Sequence, residues 1–200
     1  MDQSNVGVMT IESSETVLRI HSFLPLSYSN GPGKRAVIWV QGCTLDCPGC
    51  FNPETHSPEG GELVSIDELF QRFRELGNSI EGISISGGEP LQQIQPLLKL
   101  LKRVREETEF SVLIFTGFNW EEIQRLSQVE EFLKVVDVII SGRYDISRPV
   151  EDGLRTSANQ EIHVLTGRYN MGDLEVVPEG EVIITKQGEI ILSGTNPIKW

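Results

Sequence analysis

A chain of 200 residues with 38% hydrophobic content can build one well-cored domain, and its length gives no reason to expect two. Its formal net charge of -12 excludes a general nucleic-acid partner, because binding phosphates needs clustered Lys and Arg. No apolar stretch approaches the roughly 18 residues of a membrane helix, and the first thirty residues lack a basic start followed by an apolar run, so a cytoplasmic location without a membrane partner is expected.

Residues 17–23 and 36–40 are rich in β-branched and aromatic side chains and read as strands separated by the turn residues around Asn30-Gly31-Pro32-Gly33. Ser65, with Glu68 three residues on, forms a capping-box pattern opening a helix that runs through about Leu76 and stops at Gly77-Asn78. Residues 82–86 read as a buried strand, after which Gly87-Gly88-Glu89-Pro90 turns into a helix over 91–108. A strand over 111–115, a helical stretch over 120–133 broken near Ser127, and a strand over 136–140 follow. Trp39, alternating with apolar neighbours, reads as core, and His21 and His163 read as strand side chains without a ligand role. Beyond Thr166 three short strands are expected at 174–177, 182–185 and 190–192, the last two forming a hairpin.

Alternating strands and helices predict a parallel sheet with right-handed crossovers. A complete eight-fold barrel takes about 250 residues, so the expected fold class is α/β, an open partial (β/α) barrel over residues 1–166 with a small C-terminal β extension over 167–200. In such sheets the loops after the carboxyl ends of strands build the active site. The stretch after residue 40, Gly87-Gly88-Glu89-Pro90, Thr116-Gly117 and Ser141-Gly142-Arg143 all follow expected strands and would converge on one rim.

Cys43, Cys47 and Cys50 are the only cysteines, spaced Cys-x3-Cys-x2-Cys. So close a set suits metal ligation in a reducing compartment and cannot form a disulfide framework. A cubane iron-sulfur cluster usually takes four thiolates; this chain supplies three, leaving one iron for another ligand. A structural zinc site completed by His56 is the alternative on the residues alone. Gly87 and Gly88, lacking Cβ, suit close approach of backbone to a ligand, and a strand-to-helix turn with Pro90 at the helix start is the plainer reading.

The three cysteines with Gly87-Gly88-Glu89-Pro90 resemble the signatures of the radical S-adenosylmethionine (SAM) enzymes. Within them the chain is most similar to the activating proteins of anaerobic ribonucleotide reductase. Asn30-Gly31-Pro32-Gly33-Lys34-Arg35, Cys47-Pro48-Gly49-Cys50-Phe51-Asn52, Phe115-Thr116-Gly117-Phe118 and Ser157-Ala158-Asn159-Gln160 carry that likeness in order. The resemblance implies a [4Fe-4S] cluster on Cys43, Cys47 and Cys50, with SAM on its open iron. It also implies that Gly87, Gly88 and Glu89 orient the methionine end of SAM, and that Thr116 touches the ribose or adenine. Arg143 is a candidate for gripping the SAM carboxylate with its guanidinium. Reductive cleavage of SAM would give a 5'-deoxyadenosyl radical that takes a hydrogen from a glycine of a partner enzyme. The implied partners are a glycyl radical enzyme such as anaerobic ribonucleotide reductase and a low-potential electron donor such as flavodoxin or ferredoxin. Two departures stand out: Ser141 replaces an aspartate common in that group, and the extension beyond Thr166 has no counterpart there. They keep open a radical SAM enzyme acting on a small molecule or modified peptide, and a zinc-bearing interaction module is the reading from another class.

Overall fold

The structure, a computed structural model, describes residues 16–195; the last five residues of the expected C-terminal extension, Trp200 among them, therefore lie outside it. Its first two strands, β1 (Val17–Ser27) and β2 (Arg35–Val40), are joined by a short turn and so pair antiparallel, with Phe23 opposite Ile38. A strand that the sequence did not announce, β3 (Glu62–Ser65), pairs antiparallel on the other side of β1. Four residues on a sheet edge, Glu-Leu-Val-Ser, carry too short a pattern to read alone. Ser65 then caps α1 (Ile66–Leu76), its hydroxyl accepting the Glu68 N–H at 3.1 Å.

From here the chain alternates. β4 (Gly82–Gly87) leads through a single 3-10 turn over Pro90–Gln93 into α2 (Ile94–Glu107), and β5 (Ser111–Thr116) leads into α3 (Trp120–Gln124) and α4 (Val129–Val135), which are separated as Ser127 predicted. β6 (Val138–Ser141) follows, then a small hairpin of β7 (Pro149–Asp152) and β8 (Arg155–Ser157), and β9 (Glu161–Val164). The main sheet has the order β3-β1-β2-β4-β5-β6-β9. Its centre, β2-β4-β5-β6, is parallel because helices carry each return crossover, whereas β1, β3 and β9 run antiparallel at the flanks. The expected open α/β sheet with a parallel centre is present, and β1, β3 and β9 add antiparallel margins to it.

One face of the sheet is closed by α1, α2 and α4 around Ile38, Ile83, Ile114, Phe73, Leu101 and Phe132, all fully buried. The other face has a smaller apolar cluster, including Leu113, Val138, Ile140 and Leu174, and stays open at the carboxyl end of the parallel strands. The helices therefore supply most of the buried apolar area that holds the sheet, and the open face is left for chemistry. No described helix is long and apolar enough to cross a membrane.

The chain beyond Thr166 differs from expectation at its start. Residues 174–177 are not a strand: Asn170 caps α5 (Met171–Glu175) in a reciprocal box with Asp173, and a short-range capping box outweighs the β-prone pair Val176-Val177. The hairpin of β10 (Glu181–Ile184) and β11 (Ile190–Ser193) forms as predicted, with Val182 opposite Leu192. This extension is tied to the main sheet at both ends. Tyr169 meets Ser111 Oγ at 2.7 Å, and Glu181 accepts the Tyr28 N–H at 3.0 Å and the Ser29 hydroxyl at 2.9 Å.

Arg35 is fully buried on the open face, and its hydrogen-bond partners are all neutral. Its guanidinium donates to Ser84 Oγ, Ser111 Oγ and the carbonyls of Pro32, Ile83 and Ser111, so one side chain joins the Pro32 turn, β4 and β5. Burial pushes its pKa below the usual arginine value, opposed by Tyr169. A lysine has one nitrogen and cannot span these acceptors. Arg35→Lys is expected to lower stability by about 2 kcal/mol or more, since buried acceptors lose their donors, as read from urea unfolding midpoints.

Candidate functional site

The cysteine loop leaves β2 at Gln41 and is folded back on its own start. Gln41, almost fully buried, donates through Nε2 to the carbonyls of Glu54 and Ser57, while Gly42 N–H and Cys43 N–H donate to the carbonyls of Thr55 and His56. The far side of the loop is thus stitched beside the first cysteine, and Cys50 N–H closes a turn on the Cys47 carbonyl at 3.1 Å. Backbone N–H groups already point at two sulfurs: Leu45 at Cys43 Sγ and Asn52 at Cys50 Sγ, both at 3.5 Å.

Gly87 and Gly88 stand against this loop. A Cβ on Gly88 would lie 2.3 Å from the Gly42 carbonyl oxygen, and one on Gly87, at φ +104°, would lie 2.5 Å from Val40 N. Gly88 N–H donates to Val40 O and Glu89 N–H to Gly42 O, at 2.8 and 2.9 Å. The double glycine lets β4 close on the root of the cysteine loop, a packing reason that the sequence reading, which looked to ligand approach, did not foresee.

Glu89 is fully buried and both its oxygens are taken by the protein. Oε1 accepts Leu91 N–H at 2.9 Å and the Thr116 hydroxyl at 2.7 Å, and Oε2 accepts Gly117 N–H at 2.8 Å. It therefore fastens the end of β4 to the end of β5. Thr116, expected to meet the nucleoside, spends its hydroxyl on Glu89 and on Phe118 N–H. Burial pushes the Glu89 carboxyl up to about 7, opposed by Thr116, the two N–H groups and Arg143.

These parts wall a cleft of about 920 Å³, its open mouth included, at the carboxyl rim of the parallel strands. All three cysteines line it, together with Gly87, Gly88, Glu89, Thr116 and Gly117. Phe51 and Tyr144 meet edge to face across the mouth, their ring centres 4.8 Å apart. Burial pushes the thiols of Cys43 and Cys50 up, against the N–H bonds that favour the thiolate. A cationic centre would reverse that direction.

Arg143 is directed elsewhere than expected. Its two terminal nitrogens hold Glu122 at 2.7 and 2.9 Å, and it is not among the residues lining the cleft; Gly142 and Tyr144 on either side are. The sequence could not announce this, because Glu122 is brought near only by the crossover through α3. Ser141 is buried away from the cleft, its hydroxyl 2.8 Å from His163 Nε2, and His163 in turn stacks on Trp120 at 4.1 Å. Gln160 lines the cleft but its amide works as a turn clasp, accepting from Thr156 and Ser157 and donating to the Gly142 carbonyl. Trp39, expected in the core, is only half-buried and lines the cleft, since odd-numbered residues of β2 face the open side. Gly194 and Thr195 of the C-terminal extension also line it, which no motif signalled.

The donor set fits a cubane held by three thiolates. The only cysteines of the chain share one cleft, two already receive N–H groups, and no fourth protein thiol exists. A structural zinc would need a fourth ligand converging with the three thiols on one ion; among the described residues no three of His, Cys, Asp and Glu, the cysteines included, are gathered that closely. His56 is the one histidine lining the cleft, and its buried Nε2 has no hydrogen-bond partner, so it is the residue that a fourth protein ligand would come from.

An open, parallel-centred sheet whose rim carries three cysteines and a double glycine is the architecture of the radical SAM class. The model of a family described as a 4Fe-4S single cluster domain matches residues 29–163. The anaerobic ribonucleoside-triphosphate reductase-activating protein of Enterobacteria phage T4 is 34% identical over 69% of this chain and 88% of its own length. The protein of that name from Escherichia coli strain K12 is 30% identical over 74% and 99%. The pyruvate formate-lyase-activating enzyme of Clostridium pasteurianum is 33% identical over 68% of this chain and 56% of its own length. The chain belongs to this 4Fe-4S single-cluster family of radical SAM proteins.

Two variants test the geometry. Gly88→Ala drives a methyl group into the Gly42 carbonyl and is expected to reduce iron retention after anaerobic reconstitution, measured by iron per chain. For Glu89, a folded pKa of about 7 against an ordinary 4.5 means that the native state holds a proton the unfolded state has lost. Its contribution is complete below about pH 4.5 and is lost as pH rises through about 7, roughly 3 kcal/mol in all. Denaturant titrations between about pH 5 and about pH 8 should show that slope in the parent protein and its absence in Glu89→Gln.

Proposed function

We propose that this protein activates a glycyl radical enzyme, with anaerobic ribonucleotide reductase as the candidate partner. The observation that carries the reading is the meeting of Cys43, Cys47 and Cys50 with the Gly87-Gly88 segment in one cleft. Three cysteines would hold three irons of a [4Fe-4S] cluster and leave the fourth for the amino and carboxylate groups of SAM. When bound, the reduced cluster supplies one electron that breaks the sulfur–C5' bond of SAM, giving methionine and a 5'-deoxyadenosyl radical that takes a hydrogen atom from a glycine Cα and leaves a glycyl radical and 5'-deoxyadenosine.

The chain's own residues position and shield. Backbone N–H groups of Leu45 and Asn52 offset the charge of the thiolates of Cys43 and Cys50. Gly88 and Glu89 fix the loop root and the ends of β4 and β5, so the walls facing SAM keep one shape. Phe51 and Tyr144 keep bulk water from the mouth. A low-potential electron donor such as flavodoxin or ferredoxin belongs to the same reading. Among the described residues, the C-terminal extension adds Gly194 and Thr195 to one wall of the cleft, and a groove past Trp39 and Phe51 leads outward from it. An open side suits a polypeptide substrate better than an enclosed small molecule.

Anaerobically reconstituted protein, SAM, a reductant and anaerobic ribonucleotide reductase are expected to give the doublet of a glycyl radical in electron paramagnetic resonance; SAM cleavage without a doublet contradicts the activase reading. Cys47→Ala is expected to lose both iron retention and 5'-deoxyadenosine formation, measured by iron analysis and chromatography, and retained cleavage would contradict the ligand assignment.

A further inference from the structure

The three histidines of the chain differ in what their rings are spent on. His21 Nδ1 meets Gln41 Oε1 at 2.9 Å, and His163 Nε2 meets Ser141 Oγ at 2.8 Å. His56 lines the cysteine cleft, and its buried Nε2 is without a hydrogen-bond partner. A buried polar nitrogen left unsatisfied costs stability, so one in the wall of a ligand site points to a partner that arrives with the ligand. Of the three buried side-chain atoms without a partner among the described residues, this is the one whose residue lines the cleft. Glu89, Thr116 and Gln160, which also line it, are spent on protein partners.

The backbone holds this ring beside the first thiol. His56 N–H closes the Pro53–Thr55 turn on the Pro53 carbonyl at 3.2 Å, and its own carbonyl accepts Cys43 N–H at 3.1 Å. Its position is therefore set by main-chain bonds that do not involve the ring. Three thiolates leave one iron of a [4Fe-4S] cluster without a protein ligand. The sulfurs of Cys43 and Cys50 already receive N–H groups, so the unmet need is a ligand to iron rather than a further donor to sulfur. Imidazole nitrogen fills that role in iron-sulfur centres of the Rieske kind. A cluster takes its ligands at separate corners, so His56 need not converge with the thiols on one atom.

We infer that His56 Nε2 is the resting ligand of the fourth iron, bound while SAM is absent and displaced when the amino and carboxylate groups of SAM chelate that iron. The inference rests on the cluster reading and adds a protein ligand that the three-cysteine motif does not contain. The exchange transfers no electrons. The iron–Nε2 bond breaks, bonds to the SAM nitrogen and oxygen form, the ammonium proton of SAM goes to solvent, and the imidazole leaves as a neutral base. A capped iron is held against loss before SAM arrives. SAM in turn must displace a ligand already bound, which weakens its apparent affinity.

The test uses the full-length protein with its histidines labelled with heavy nitrogen, anaerobically reconstituted and reduced with dithionite. Pulsed electron paramagnetic resonance without SAM is expected to show one strongly coupled heavy nitrogen, absent from His56→Ala. Unlabelled SAM should replace it with coupling to ordinary nitrogen. SAM affinity, titrated from the change in the cluster signal, should rise about threefold or more in His56→Ala, the factor expected when most clusters must first release the imidazole. His56→Phe keeps a ring without a ligand atom and should behave in the same way. No coupled histidine nitrogen in the parent protein, or one that survives in His56→Ala or in saturating SAM, overturns the inference and leaves the three-cysteine cluster standing. Unchanged SAM affinity in both variants overturns it as well. A parent protein with no reduced-cluster signal and one bound zinc overturns the cluster reading and the inference together.

Discussion

The close contact between the double glycine and the root of the cysteine loop is the constraint on which the site depends. Gly88 lies where any side chain would strike the Gly42 carbonyl, and the hydrogen bond from Glu89 N–H to Gly42 O runs through the same point. Because Gly42 precedes Cys43, that contact sets where the first thiol begins. Glu89, the next residue, extends the constraint to Thr116 and Gly117, so three loops of the rim are tied together. A loop with half-exposed thiols and little apolar content would not hold such a geometry by its own packing.

Much of this was legible in the sequence because its cues are local. The N-cap at Ser65, the break near Ser127 and the turn of the last hairpin are short-range features that appear at their expected places, although the Glu68 side chain pairs with Arg72 and does not complete the expected capping box. The convergence of rim loops followed from the rule that parallel sheets place their sites at carboxyl ends. What escaped was long-range. The antiparallel flanks, Trp39 on the open side and the capture of Arg143 by Glu122 all depend on which strand or helix the fold sets alongside, and no residue spacing records that. The expected strand at 174–177 failed for a local reason: the Asn170–Asp173 box was overlooked beside a β-prone pair.

The roles of Glu89 and Thr116 change character once the geometry is known. Sequence likeness directs them to SAM, whereas their polar atoms are engaged with each other and with nearby N–H groups. They line the cleft and join its walls. Ser141 is turned from the cleft, its hydroxyl serving His163 on the far side of β6. The C-terminal extension, by contrast, enters the wall of the cleft directly through Gly194 and Thr195.

The central claim is a cluster with one iron open to SAM, and electron paramagnetic resonance of the dithionite-reduced protein before and after SAM is added tests it most directly. The account predicts a reduced-cluster signal that changes shape on SAM addition, as the open iron gains nitrogen and oxygen ligands. A signal indifferent to SAM, or colourless protein holding one zinc, would contradict it.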